Sequence, residues 1–365
     1  MQRSAEAPGQ VALGGANRGR LDPRGPLSAF LLHTLYQSPR PLPTLGAHAR
    51  QAARASAYSL SNEDAQLSLT LLYELHYRGL PGVDDRWEWQ PDLVAAAGEL
   101  EAVLLRDLHA LVAPKLPTVA AGSDVPQVLG ALVRDDRSPS LSKYLARRGT
   151  REQYAEYLIH RSIYHLREAD PHTFAIPRIG GGPKAALVEI QADEYGGGRP
   201  EWVHATLFGN SMRGMGLDAS YGRYLGEVPA ITHAWSNTMT LFGLHRRWRG
   251  AAVGHLAALE MTSSLPMRRY GNGLRRLGYD DGTTRFFDEH IEADAVHEQI
   301  AAHDLAGGLA RAEPEIANDI VFGAAAALAM DGQLAAHLLD SWTAGRTSLR
   351  TPDPWPQLLA TQEPE

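Results

Sequence analysis

Two histidines and an aspartate, His290, Asp294 and His297, stand at i, i+4 and i+7 in residues 286–297. Nothing in that stretch breaks a helix, and Ala293 and Ala295 favour one. At 3.6 residues per turn the three side chains stack on one face, so two nitrogens and an oxygen converge on a single stripe. That is a ligand set for a first-row transition metal. The competing reading is a His-rich solvated face, which the neighbouring acids Asp288, Glu289, Glu292 and Glu298 favour. The zinc-protease pattern H-E-x-x-H begins at His297-Glu298 but fails, because position 301 is alanine.

One helix with three ligands cannot complete a two-metal centre, so other segments must contribute. Glu201-Trp202-Val203-His204 is an E-x-x-H, the pair by which di-iron helical bundles present a carboxylate and an imidazole on one face. A second E-x-x-H is missing, and Asp294-Ala295-Val296-His297 offers a D-x-x-H in its place. His290 then takes a position that ferritin-like sites give to a carboxylate. Three further acids are candidates. Glu168 closes a helix that carries Arg161 and Tyr164, Glu194 precedes Gly196-Gly197-Gly198, and Glu260 sits in an apolar run where burial demands a partner or a metal.

Composition narrows the chemistry. The 365 residues include no cysteine, which excludes disulfides, thiolate metal sites and cysteine nucleophiles, so any metal must be held by histidine and carboxylate. A net charge of -7 gives no electrostatic reason to expect nucleic acid or an anionic membrane as partner. Hydrophobic content of 44% is that of a globular chain. The N-terminus lacks an apolar signal core, and the apolar run at 320–330 is too short to span a bilayer, so a cytoplasmic protein is expected.

The elements that must position these residues are helices. Helical patterns are expected from Ser61-Asn62-Glu63-Asp64 to Gly79 and over 92–112, 152–168, 201–208, 230–247, 251–265, 286–303 and 316–342, with 185–194 either helix or short strand. Alternating β-branched runs are nearly lacking, which makes the chain all-α. Residues 1–26 read as a flexible tail, 27–348 as one helical domain with an N-terminal extension, and 349–365 as an irregular tail.

Taken together, Glu168, Glu194 with its three glycines, Glu201/His204 and His290/Asp294/His297 resemble the haem-oxygenase-like di-iron oxidases. The phrases Arg167-Glu168-Ala169-Asp170-Pro171, Asp193-Glu194-Tyr195-Gly196-Gly197-Gly198 and Phe286-Phe287-Asp288-Glu289-His290 carry the same likeness. The resemblance spans roughly residues 60–345 and implies a haem-oxygenase-like bundle of about seven core helices with extra N-terminal helices. It implies two iron ions in place of haem, O2 as co-substrate, and an external electron donor. Carried over residue by residue, the metal ligands would be Glu168, Glu201, His204, His290, Asp294 and His297. Glu194 would be the seventh metal ligand: it matches the additional, catalytic carboxylate of members that oxygenate nitrogen, which joins the metal as the cofactor assembles.

The activity so implied is N-oxygenation of a small amine, aminoheterocycle, guanidine or amino acid in a biosynthetic pathway. The alternative is cleavage of C–C or C–H bonds in an amino or fatty acid, as in other members. Asp288, Glu289 and Glu292 are candidates to orient the histidine ligands. Glu74, His76, Glu260 and Arg285 are candidates for substrate contacts, with Arg268 and Arg269 also placed to hold a carboxylate. The long apolar last helix leaves room for a homodimer face.

Overall fold

The computed structural model describes residues 21–119 and 122–350, and their side chains apart from those of 292–296. Among the described residues the architecture is helices joined by turns, with no strand, an all-α bundle of the haem-oxygenase-like kind. Four helices form the N-terminal part: α1 (Pro26–Thr34), α2 (Leu45–Arg54), α3 (Glu63–Glu74) and α4 (Pro91–Val112). Then come α5 (Val125–Asp135), α6 (Leu141–Arg148), α7 (Arg151–His165), the single turn α8 (Asp170–Thr173), α9 (Gly181–Glu194) and α10 (His204–Gly214). The chain continues through α11 (Ala230–Leu244), α12 (Arg249–Arg276), α13 (Asp281–Gln299), α14 (Gly307–Ala312) and α15 (Ala317–Thr343).

Local chemistry sets the starts of these helices. Asn62 accepts a hydrogen bond from the Ala65 amide to cap α3, and Gln90 does the same for α4 through the Leu93 amide, with Pro91 opening the first turn. Thr150 and Gln153 satisfy each other's backbone amides in a capping box at the start of α7. The expected stop of α12 before Pro266 does not occur. Proline removes one backbone donor, yet Met267, Tyr270 and Leu274 beyond it are buried, and that packing carries the helix on to Arg276. Conversely α3 ends at Glu74, five residues before Gly79.

Helix α12 is the centre of the bundle, with α15, α13 and α6 against it. Gly254 and Gly323 face across the α12–α15 contact, where a β-carbon on either would collide with the backbone of the other helix. The N-terminal helices pack on one another and reach the bundle through α3 against α11. Residues 21–25, expected in the tail, are tied down by Arg24. Its guanidinium pairs with Glu63 at 2.8 Å and donates to the carbonyls of Leu225, Gly226 and Val228. Residues 1–20 and 351–365 lie outside the described residues. By length and composition the segment Pro314–Thr343 is apolar enough to cross a membrane, but 67% of its apolar window is buried within the protein.

Candidate metal centre

Five segments bring carboxylates and imidazoles to one buried place. Helix α7 ends at His165, and Glu168 follows on the next turn. Ala169 then takes a left-handed conformation (φ 72°), which reverses the chain into α8. Glu194 is the last residue of α9. After it, Gly196 (φ 72°) lies so close to the returning chain that a β-carbon would stand 2.6 Å from the Val203 amide nitrogen. Only glycine tolerates both conditions, and the turn it allows sets His204 beside Glu194. Glu260 comes from α12, and His290 and His297 from α13.

The donor atoms of Glu168, Glu194, His204 and His290 all lie within 4.8 Å of one another, and so do those of Glu194, Glu260 and His297. Glu194 belongs to both groups. Every one of these residues is buried. His204 Nδ1 faces Glu194 Oε2 at 2.9 Å, His290 Nε2 stands 3.6 Å from Glu168 Oε1, and His297 Nδ1 stands 3.4 Å from Glu260 Oε2. The imidazoles of His204 and His290 lie 4.3 Å apart between centroids.

The other nitrogens of the histidines are held. His290 Nδ1 donates to the Phe286 carbonyl at 2.8 Å, which leaves Nε2 turned to the carboxylates. His297 Nε2 donates to Asp193 at 3.0 Å, leaving Nδ1 turned inward. His165 Nδ1 donates to Glu168 Oε1 at 2.6 Å. These orienting partners differ from the ones the sequence suggested. Asp288 is engaged with Arg275 and Thr284 instead, and the Glu292 side chain lies outside the described part of the structure.

Electrostatics show what the site lacks. Burial opposes ionisation of the Glu168 carboxyl, but His165 and His290 beside it hold it well below the usual carboxylate range. Burial acts the same way on Glu194, and His204 outweighs it. Burial would depress His297, yet Glu260, Asp193 and Glu194 push it up to about 9. His204 is likewise raised by Glu194 against the effect of burial. Three buried carboxylates thus call for positive charge, and imidazolium is the only source among these six residues. Glu168 Oε2, Glu194 Oε2, His204 Nδ1 and His297 Nδ1 nevertheless make no aligned hydrogen bond. Buried polar atoms rarely go unsatisfied. Converging oxygen and imidazole donors with no aligned partner fit a pair of divalent first-row metal ions.

Several expected residues are placed otherwise. Glu201 is exposed, on a 3₁₀ turn Pro200–Trp202 that precedes α10. The intervening Val203 is non-helical (ψ 126°), so the i, i+3 spacing does not put Glu201 and His204 on one face. The Asp294 side chain lies outside the described part of the structure. Glu260, expected near substrate, stands within the carboxylate–imidazole cluster itself. Glu74 is buried in an ion pair with Arg167 (3.2 Å) and accepts from Tyr221, away from the cavity beside the cluster. His76 lies 3.4 Å from Glu88 on a separate cavity of about 190 Å³. Arg285 and Arg268 are exposed, with the Arg285 guanidinium 4.3 Å above the Trp202 ring. Missed in the sequence were His165 and Asp193. The H-x-x-E spacing of His165 and Glu168 was the available signal for the first, and the position next to Glu194 was the only one for the second.

A cavity of about 260 Å³ opens beside the cluster, with Glu168, Glu194, Glu260 and His290 in its wall. Its size suits a small metabolite, since drug-sized ligands occupy about 300–1,000 Å³.

Residues 155–332 match a family described as iron-containing redox enzymes. Over 191 residues the chain is 26% identical to a nitrosourea synthase of Streptomyces achromogenes subsp. streptozoticus, an alignment covering 51% of this chain and 40% of the relative. Over 113 residues it is 30% identical to a 4-chloro-allylglycine synthase of Streptantibioticus cattleyicolor, covering 29% of this chain and 39% of the relative. The chain thus matches about two fifths of the length of each of these curated relatives.

Proposed function

From the match of residues 155–332 to the iron-containing redox enzyme family, we propose that this chain is an O2-dependent non-haem di-iron oxidase acting on a small amine. The observation that carries the reading is Glu194, whose carboxylate belongs to two donor clusters at once. A carboxylate shared between two groups of ligands is what a pair of metal ions a few ångströms apart requires. Glu168, Glu194, His204 and His290 would hold one iron, and Glu194, Glu260 and His297 the other. Asp294, one turn before His297 in the sequence, remains a proposed ligand of the second.

Iron ions held there would supply electrons in pairs for the reduction of O2. The protein's own work is positional. The Phe286 carbonyl and Asp193 fix which nitrogen of His290 and of His297 faces inward. His165 holds one oxygen of Glu168 and leaves the other free of hydrogen bonds. Phe286 and Phe208, both buried, pack beside His165 and His204 and keep bulk water from that side. The cavity brings substrate against the Glu194–Glu260 side of the cluster.

N-oxygenation, giving a hydroxylamine or a nitro product, is the favoured reaction. The additional carboxylate Glu194 supports it, and so does similarity to a nitrosourea synthase. C–C or C–H cleavage of an amino acid is the second reading, favoured by similarity to a 4-chloro-allylglycine synthase. An external reductant would return the irons to the ferrous state. The test is anaerobic loading with Fe(II), iron quantification and rapid mixing with O2. Two irons per chain and a transient visible absorption band are expected. One tightly held metal and no O2-dependent transient would overturn the reading.

A further inference from the structure

We propose that Arg161 is the carboxylate anchor of the substrate, holding an acid-bearing amine so that its far end reaches the carboxylate–imidazole cluster. The proposal rests on the oxidase reading above and adds to it the class of substrate. Arg161 is buried, yet it lies in the wall of the same cavity as Glu168 and Glu194. It shares a stripe of α7 with Tyr157 and His165, at i, i-4 and i+4, and Glu168 follows seven residues on. The four helical residues from Arg161 to His165 rise about 6 Å, and Glu168 lies on the turn beyond them, which sets the least length of a substrate between anchor and cluster.

The two ends of that stripe differ in access. The Glu168 side chain is 6% exposed, while Asp331, the counter-ion of Arg161, is 47% exposed. The arginine end therefore opens to solvent and the cluster end is closed. Among the described residues the hydrogen bond of Arg161 is the one from Nη2 to Asp331 Oδ1, at 2.6 Å. Its guanidinium carbon lies 4.6 Å from the centre of the Trp235 ring and 5.8 Å from that of Tyr157. Aromatic rings so placed restrict the guanidinium, whose fork can take a carboxylate in two parallel bonds.

Arg167, six residues further along the chain and just past the end of α7, is the useful contrast. It too is buried, but its counter-ion Glu74 is 3% exposed, Tyr77 covers its face at 4.0 Å, and it does not line the cavity. Arg167 ties helices together. Arg161 faces a cavity, and its half-exposed partner can turn to water when a second carboxylate arrives.

The test is calorimetric titration with 6-aminohexanoate, hexanoate and hexylamine, run under nitrogen on the protein with and without Fe(II). Both acids are expected to bind and hexylamine is not. Arg161→Met should weaken both acids by about tenfold or more, with Arg161→Lys between it and wild type because an ammonium lacks the fork. Iron content should be unchanged in both variants. Asp331→Asn, which removes the competing carboxylate, should tighten hexanoate severalfold and keeps the proposal testable where Arg161→Met fails to fold. Hexylamine binding as well as 6-aminohexanoate, failure of both acids to bind, or acid affinity that needs iron but not Arg161 would each overturn it. Loss of iron binding in the wild type, with acid binding intact, would strike the oxidase reading and leave the anchor standing.

Discussion

Glu156 within α7 and Glu168 just past its end are both buried carboxylates, twelve positions apart, and they serve opposite purposes. Glu156 Oε2 accepts from the Trp342 indole at 2.8 Å and from the Ser348 amide at 2.8 Å and hydroxyl at 2.5 Å. His160, one turn on, continues that network to Thr232 and back to Ser348. All these donors are neutral and fixed, and together they fasten the end of the described chain to the bundle. Glu168 meets imidazoles, and with Glu194 it leaves one oxygen in each carboxylate unbonded. A buried carboxylate surrounded by neutral donors is finished as structure. One that faces titratable groups and other carboxylates is poised for a cation.

The sharpest way to break this comparison is to remove the shared ligand. Glu194→Ala is expected to lower iron content from two per chain to one or none and to cut O2-dependent turnover by more than about 100-fold. Its thermal midpoint without iron should hold, because the deletion relieves crowding of buried carboxylates. Equal iron content in variant and wild type would mean that the clusters are structural after all. The mirror experiment is Glu156→Ala, which orphans an indole, an amide and a hydroxyl and should cost roughly 3 kcal/mol of stability in chemical denaturation, with iron stoichiometry untouched.

Acidity separates the two regions by sign. Burial holds His160 well below 6.5. The unfolded chain therefore takes up a proton near pH 6.5 that the folded chain refuses. Stability present above that pH falls as pH drops, by up to about 1.4 kcal/mol per pH unit for this group. His233 and His255, lowered by burial in the same way, act in the same direction. His297 is opposite. Its folded value of about 9 makes its contribution complete below pH 6.5 and lost as pH rises from there through 9. Denaturation without iron should show both limbs. With iron bound the alkaline limb should vanish, since a ligating imidazole is already unprotonated.

Two smaller effects test the local geometry. Gly196→Ala forces a β-carbon into the Trp202–Val203 backbone and should weaken iron retention while leaving the remainder of the bundle folded, as read by circular dichroism. Glu201→Ala should change neither iron content nor turnover, because the side chain is exposed on its own turn.

Much of the bundle was legible in the sequence, because apolar periodicity and capping residues act locally. Asn62 and Thr150 mark helix starts whatever surrounds them. The failures arose where a partner distant in sequence decides. Pro266 reads as a stop until the packing of Met267 and Tyr270 is seen. Glu201 and His204 read as a pair because E-x-x-H presumes an unbroken helix, and the contact of Gly196 with Val203 breaks it. Glu260 looked like an isolated acid, since nothing within its own helix reveals that His297 lies 3.4 Å away.

The sequence by itself determined the chemistry available: no thiolate, a surplus of imidazoles and carboxylates, and helices to carry them. Ligand type and helical phase are properties of short stretches, readable at a spacing of three or four residues. Which acids share one site was settled by how α7, α9, α10, α12 and α13 pack. So was the turning of Arg161 to a cavity and of Arg167 to the core. Burial and pairing depend on segments that meet only in the folded chain, up to 170 residues apart for Arg161 and Asp331, and no local pattern encodes them.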